Sequence, residues 1–169
     1  MLCLLARIDD LAKEKLFLLQ KAAEKHGVPR RHLHGHITIA VYTGTDEADF
    51  IESCKTIADH FSVFSFRYDH LQILREPSTI SACPLKEGML LELHKRVAAQ
   101  WMQEMNHWTQ SDIWLPHTTL LQDTQADLDR LLQILQNTFE PFEAKVVRLE
   151  FSAVRPDGYE IVDFVDLCP

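Results

Sequence analysis

Histidine and threonine recur at one spacing in two places. The stretch HGHITIAV, His34 to Val41, carries His36, Thr38 and the apolar Ile39. The stretch WLPHTTLL, Trp114 to Leu121, carries His117, Thr119 and Leu120. An unperturbed imidazole titrates at about 6.5, so near neutral pH one ring can be neutral while another is protonated. Brought together across a cleft, two such rings can act as general base and general acid around an anion. The threonine hydroxyls can donate hydrogen bonds to the anion's oxygens. The sequence leaves open which histidine is the base.

Both stretches have strand length and are rich in Ile, Leu, Val and Thr. Side chains two apart on a strand share a face. His36 therefore lies beside Thr38, and His117 beside Thr119. Ile37 and Ile39, or Thr118 and Leu120, point the other way, toward a core in the first copy. Tyr42 falls on the His36 and Thr38 face if that strand runs unbroken. It is then a candidate to line a base or phosphate pocket, against the alternative of a strand-end tyrosine covering the core. Trp114 could stack on a base, although burial between helix and sheet suits that ring better. Arg30 and Arg31 form a short basic loop ahead of the first motif, within reach of a phosphate or simply solvated.

The elements around these stretches follow one order twice. Leu2 to Ile8 is an apolar run of strand length, and Asp9 or Asp10 caps the next helix. Ala12, Leu16, Leu19 and Ala23 make that helix a single apolar stripe. Gly27 and Pro29 end it. After the first motif, Thr45 starts a helix with Phe50, Cys54, Ile57 and Phe61 on one side. Val63 to Leu74 is a long strand whose apolar phase changes near Asp69 and His70, as at a bulge. Thr79 to Cys83 is a short strand. The following helix carries Leu90, Leu93, Val97, Trp101 and Met105. After the second motif, Thr124 opens a fourth helix, with Asp127 placed for a capping box. Val147, Leu149, Phe151 and Ala153 alternate as a strand, and Pro156, Asp157 and Gly158 turn the chain into a last strand, Tyr159 to Leu167. Each half reads β-α-β-α-β, with one further strand at the end.

Composition sets outer limits. A chain of 169 residues with 46% hydrophobic and 25% charged residues is ordinary globular protein, able to bury a sizeable core. Its net charge of −8 argues against sequence-independent gripping of long nucleic acid, which needs many Lys and Arg contacts. A small anion held locally is compatible with it. Cys3, Cys54, Cys83 and Cys168 show no CxxC spacing and read as reduced thiols of a cytoplasmic protein. The start MLCLLARIDD turns acidic too soon for a signal peptide, and no run approaches the ~18 apolar residues that span a membrane. His32, His34 and His36 share one side if the strand begins at His32, a weak metal-ligand pattern with no acidic or cysteine ligand nearby. His60, His70, His94 and His107 read as surface or helix-end residues.

Paired on strands in matching places, the two His-x-Thr-apolar motifs resemble those of the 2H phosphoesterase superfamily, the 2′,5′-RNA ligase-like or cyclic phosphodiesterase group. The element order extends the resemblance over the whole chain. Pro116 before His117 is typical of that family, whereas the first motif has Gly35 where proline often stands. The resemblance implies an α+β, two-lobed duplicated fold. Each lobe would be an antiparallel-containing sheet with helices on its outer face. A pseudo-two-fold axis would relate lobes of about 1–76 and 77–169 within a single domain, 1–169, with the active-site groove between them.

The function so implied is that of a metal-independent phosphoesterase with no cofactor. It would act on a 2′,3′-cyclic phosphate or a 2′–5′ phosphodiester of RNA ends, oligonucleotides or small nucleotides. His36 and His117 are the expected catalytic residues; Thr38, Thr119 and Tyr42 are the expected substrate contacts. The substrate would be a nucleotide or short RNA, and the protein a cytoplasmic monomer with no membrane attachment and no obligate protein partner. A non-catalytic module that binds RNA ends or nucleotides in the same groove is the alternative, and an interaction protein without a ligand is a third reading.

Overall fold

A computed structural model of the chain describes residues 1–29, 32, 34–76, 78–122 and 127–169. The Arg30–Arg31 loop and the Thr124 helix start expected from sequence lie outside the described residues. The elements are β1 (Leu2–Ile8), α1 (Asp10–Glu24), β2 (His36–Tyr42), α2 (Glu47–Ala58), β3 (Phe64–Arg75), β4 (Ser78–Pro84), α3 (Gly88–Ala98), β5 (Thr118–Gln122), α4 (Leu128–Gln136), β6 (Phe142–Arg155) and β7 (Gly158–Asp166). A single 3-10 turn, His107–Thr109, precedes β5. The α+β class with antiparallel strands and packed helices is the one expected.

Side-chain oxygens start three of the helices. Asp9 accepts from the Ala12 amide, Asp46 from Ala48 and Asp49, and Asp127 from Arg130, each satisfying an amide that the first turn leaves without a partner. Asp46, rather than Thr45, caps α2. The α1 stripe of Ala12, Leu16, Leu19 and Ala23 is buried as its spacing requires. α3 differs from its periodicity. It stops at Ala98, and Trp101 and Met105 lie beyond it. Here the chain turns to run beside β2, with the Thr43 amide donating to the Glu104 carbonyl and the Asn106 amide to that of Val41. Tertiary hydrogen bonds override the helical stripe.

The strands form one sheet in the order β2-β1-β6-β3-β4-β5, with β7 paired to β6, and all named pairs are antiparallel. The long β6 bridges the two parts: its start pairs with β3 and its end with β7. The expected bulge in β3 is present, with Tyr68 opposite Pro84 and His70 opposite Cys83, so that Asp69 has no partner. Two hydrophobic clusters fill the interior, and each draws on both sequence halves. One joins β1, β2 and the end of β6 to α2 and α3. The other joins β3, β4, β5 and the start of β6 to α1 and α4. Cys3, Cys54 and Cys83 are buried and unbridged, and Cys168 is exposed and free. Among the described residues no helix is long and apolar enough to cross a membrane.

Candidate functional site

The strands carrying the two motifs stand at opposite ends of the sheet order, yet the sheet curls until they touch. The Thr118 hydroxyl donates to the His36 carbonyl at 2.8 Å. Because that proton is committed, the buried Tyr68 hydroxyl, 2.5 Å away, donates to Thr118 in turn. The Trp114 indole N–H donates to the Thr38 carbonyl at 2.9 Å, and His94 Nδ1 donates to the Ile39 carbonyl at 2.8 Å. Carbonyls that an edge strand would leave open thus bind side chains from the second half of the chain.

Two adjoining hollows meet at this seam. One, about 610 Å³, is lined by His34, His36, Thr38, Thr119, Ser152 and Tyr159 among others. The other, about 760 Å³, has His117 and Thr119 on its wall together with Ile73, Trp108, Ile113 and Leu115. Thr119 lines both. His36, Thr38, His117 and Thr119 are therefore gathered around one groove with two arms.

Tyr42 is not among them. It is fully buried, donates its hydroxyl to the Val97 carbonyl at 2.7 Å, and packs on Phe50 and Trp101. The reason is a bulge in β2. Leu5 pairs with Thr38 but Leu4 pairs with Ala40, which leaves Ile39 as an extra residue. A one-residue insertion reverses the facing of everything after it. The expectation that Tyr42 contacts substrate is corrected accordingly.

The two imidazoles are held differently. His117 Nδ1 lies 2.9 Å from the Leu115 carbonyl; a carbonyl only accepts, so Nδ1 carries the proton and Nε2 is left for a ligand. Burial lowers the His117 pKa, against the raising effect of that carbonyl. His36 is lowered to about 4. Burial is the main cause, followed by His34; Glu150 opposes, and His117 and Arg7 add to the lowering. His36 Nδ1 is buried and has no hydrogen-bond partner among the described residues.

Gly35 explains the first motif's missing proline. Its φ of +75° is closed to a proline ring, its carbonyl accepts from the Ile8 amide, and a Cβ there would lie 3.3 Å from Lys13. The turn fixes where the chain enters β2, one residue before His36.

A charged cluster supports the His36 side. Glu150, only 4% exposed, accepts from His34 Nε2 at 2.6 Å, and Arg7 Nη1 lies 3.7 Å from the other carboxylate oxygen and 3.3 Å from the His34 ring nitrogens. Burial works to raise the Glu150 pKa, but the His34 hydrogen bond and the neighbouring arginines outweigh it and hold the carboxyl below its usual range. The ring of His34 meets that of His36 edge-on at 5.1 Å. His34 Nε2 is bound to Glu150, and His32 is exposed. Among the described residues no group of His, Cys, Asp or Glu is arranged to hold a metal ion.

Sequence reasoning missed Trp108 on the groove wall and Arg7 and Glu150 against His34. Glu150 had a signal, a lone acid in the apolar run of β6, since a buried carboxylate needs a partner. His94, expected at the surface, is fully buried and stacked on Trp114 at 3.9 Å. Trp114 itself is 2% exposed and so is unavailable to a base.

The family model described as the 2′-5′ RNA ligase superfamily matches residues 6–157. No curated protein sequence matches the chain. Among solved structures, Escherichia coli LigT in its apo form is similar over 99% of this chain and 97% of its own, at 14% identity and a TM-score of 0.66. LigT complexed with ATP is similar over 99% and 98%, at 15% identity and a TM-score of 0.63. Usb1 of Kluyveromyces marxianus is similar over 99% and 97%, at 10% identity and a TM-score of 0.57.

Proposed function

Since the chain belongs to the 2′-5′ RNA ligase superfamily, we propose that it is a phosphoesterase that opens a 2′,3′-cyclic phosphate or cleaves a 2′–5′ phosphodiester, with His36 and His117 as its acid–base pair. The observation that carries this reading is the seam between β2 and β5, where Thr118 bonds to the His36 backbone and both His-x-Thr motifs line one groove. E. coli LigT has been crystallised with ATP, 3′-AMP, NADP+ and phosphate, which favours a nucleotide as the ligand here too.

The surroundings of the two rings suggest their roles. His36 is half-buried, and the loss of solvent together with His34 keeps it neutral well below pH 7 against the pull of Glu150, as a base requires. His117, whose Nδ1–H is bound to a carbonyl, is better able to carry a second proton on Nε2. In the proposed reaction His36 takes a proton from water as the water oxygen bonds to phosphorus. The bond from phosphorus to the leaving oxygen breaks, and His117 Nε2 gives that oxygen its proton. Thr38 and Thr119 donate to the non-bridging oxygens. These residues bring the proton transfers and the charge stabilisation, so neither metal nor cofactor enters the scheme. The buried free thiols fit a reducing compartment, and the cytoplasm is the proposed location. One chain carries both motifs, so the monomer is the proposed working unit.

The test is turnover of 2′,3′-cyclic AMP in the presence of a chelator, with titration of the same nucleotide by calorimetry. Turnover is expected. Binding without turnover would instead identify a nucleotide-binding module using the same groove.

A further inference from the structure

The second arm of the groove contains a residue that the acid–base scheme does not use. Trp108 is 57% exposed, whereas Trp114 is 2% exposed and Trp101 is half-buried against Tyr42 and Phe50. A large exposed aromatic ring calls for explanation when it borders a cavity, and Trp108 lines the same hollow as His117 and Thr119. It is also held firmly. Its amide donates to the Asn106 side chain at 3.0 Å, and the Asn106 amide donates to the Val41 carbonyl at 2.7 Å. The buried Thr109 hydroxyl donates to the Asn106 carbonyl at 3.1 Å and accepts from the Val41 amide at 3.2 Å. The turn bearing Trp108 is thus pinned to β2, the strand of the first motif. A ring carried on a fixed backbone has only its two side-chain torsions to order against a flat ligand, at little entropic cost.

We propose that Trp108 is the stacking platform for the base of the leaving nucleoside, so that the preferred substrate is a phosphodiester with a nucleoside on each side of phosphorus. The proposal rests on the reading of His36 and His117 as base and acid. If His117 protonates the leaving oxygen, the leaving group lies in the His117 arm. That arm and the His36 arm each have the volume of a small-molecule pocket, about 300–1,000 Å³, and they join at Thr119. A cyclic mononucleotide, whose leaving oxygen stays tethered to the same ribose, fills one arm only. A dinucleotide fills both, with one nucleoside beside Tyr159 and His34 and the other beside Trp108, Ile113 and Leu115. In its hydrolysis, water adds to phosphorus, the bond to the leaving nucleoside's oxygen breaks, and the products are a phosphomonoester and an alcohol.

The test compares the 2′–5′-linked dinucleoside monophosphate of adenosine with 2′,3′-cyclic AMP in the wild type, Trp108→Ala, Trp108→Phe and His117→Ala. Trp108→Ala is expected to lower kcat/KM for the dinucleotide about 5–150-fold more than for the cyclic mononucleotide, the range of one base–aromatic stack. Trp108→Phe should recover most of the difference. The dinucleotide should also quench tryptophan fluorescence in the wild type and not in Trp108→Phe. An active wild type in which Trp108→Ala affects both substrates equally, or neither, overturns the platform and leaves the acid–base reading standing. A His117→Ala protein as active as the wild type overturns that reading, and the platform with it.

Discussion

Replacing Thr118 by Val removes the hydroxyl that joins the two ends of the sheet while keeping the side chain's shape. In the native protein the Tyr68 hydroxyl donates to Thr118, and Thr118 donates to the His36 carbonyl. Valine leaves both groups without these partners, in surroundings where Tyr68 and Thr118 are 0% and 2% exposed. Each stranded polar group costs about 1–3 kcal/mol, so the substitution should destabilise the fold by about 2–6 kcal/mol. For a chain of this length that lowers Tm by at least about 4 °C. Tyr68→Phe should cost only about 1 kcal/mol, because Thr118 keeps its bond to His36. In the double variant no tyrosine donor is stranded, so its cost should fall short of the sum of the singles by about 1–3 kcal/mol. Urea unfolding at pH 7 measures all three. Because the same bond sets the position of His36, kcat/KM of Thr118→Val should also fall, by up to about 10²-fold. A Thr118→Val protein as stable as the wild type, or strictly additive costs, would refute the reasoning.

Other expectations concern pH and the hydroxyls. The His36 ring titrates near 4 when folded and near 6.5 when unfolded. Between these values the unfolded chain binds more protons, so stability should fall with pH from 6.5 to 4, by up to ~3 kcal/mol; urea melts at pH 7 and 4.5 should show a flatter dependence in His36→Asn. With His36 as base and His117 as acid, both lowered, the bell of kcat/KM should have its acid limb near 4 and its alkaline limb below 6.5. An optimum above pH 7 would contradict the lowered pKa of both rings. Thr38→Val and Thr119→Val should chiefly lower kcat if the hydroxyls bind charge that develops in the transition state, as steady-state kinetics would show.

What the sequence made legible was local. Period-2 and period-3.6 patterns located β1, α1 and the paired motifs, and a change of phase revealed the bulge at Asp69. The bulge at Ile39 left no such mark. Ala40, Val41 and Tyr42 are apolar or amphipathic enough to suit either face, so the reversal that buries Tyr42 is visible only in the pairing with β1. α3 read too long because Trp101 and Met105 continue its stripe, while the hydrogen bonds that end it come from β2. Arg7, His34 and Glu150 lie on three separate segments, and no spacing rule joins residues that only the sheet brings together. Trp108 was hidden for a related reason: a ring on a three-residue turn has no periodicity to betray which way it faces.

The central claim is that His36 and His117 form one proton-transfer pair. Its most direct measurement is kcat/KM for 2′,3′-cyclic AMP in the wild type, His36→Ala, His117→Ala and the double variant. Each single substitution should cost about 10²–10⁴-fold, and the double variant should lose little more than either single, since each ring is useful only while the other is present. A His36→Ala protein that keeps full activity while His117→Ala is dead would contradict the pair.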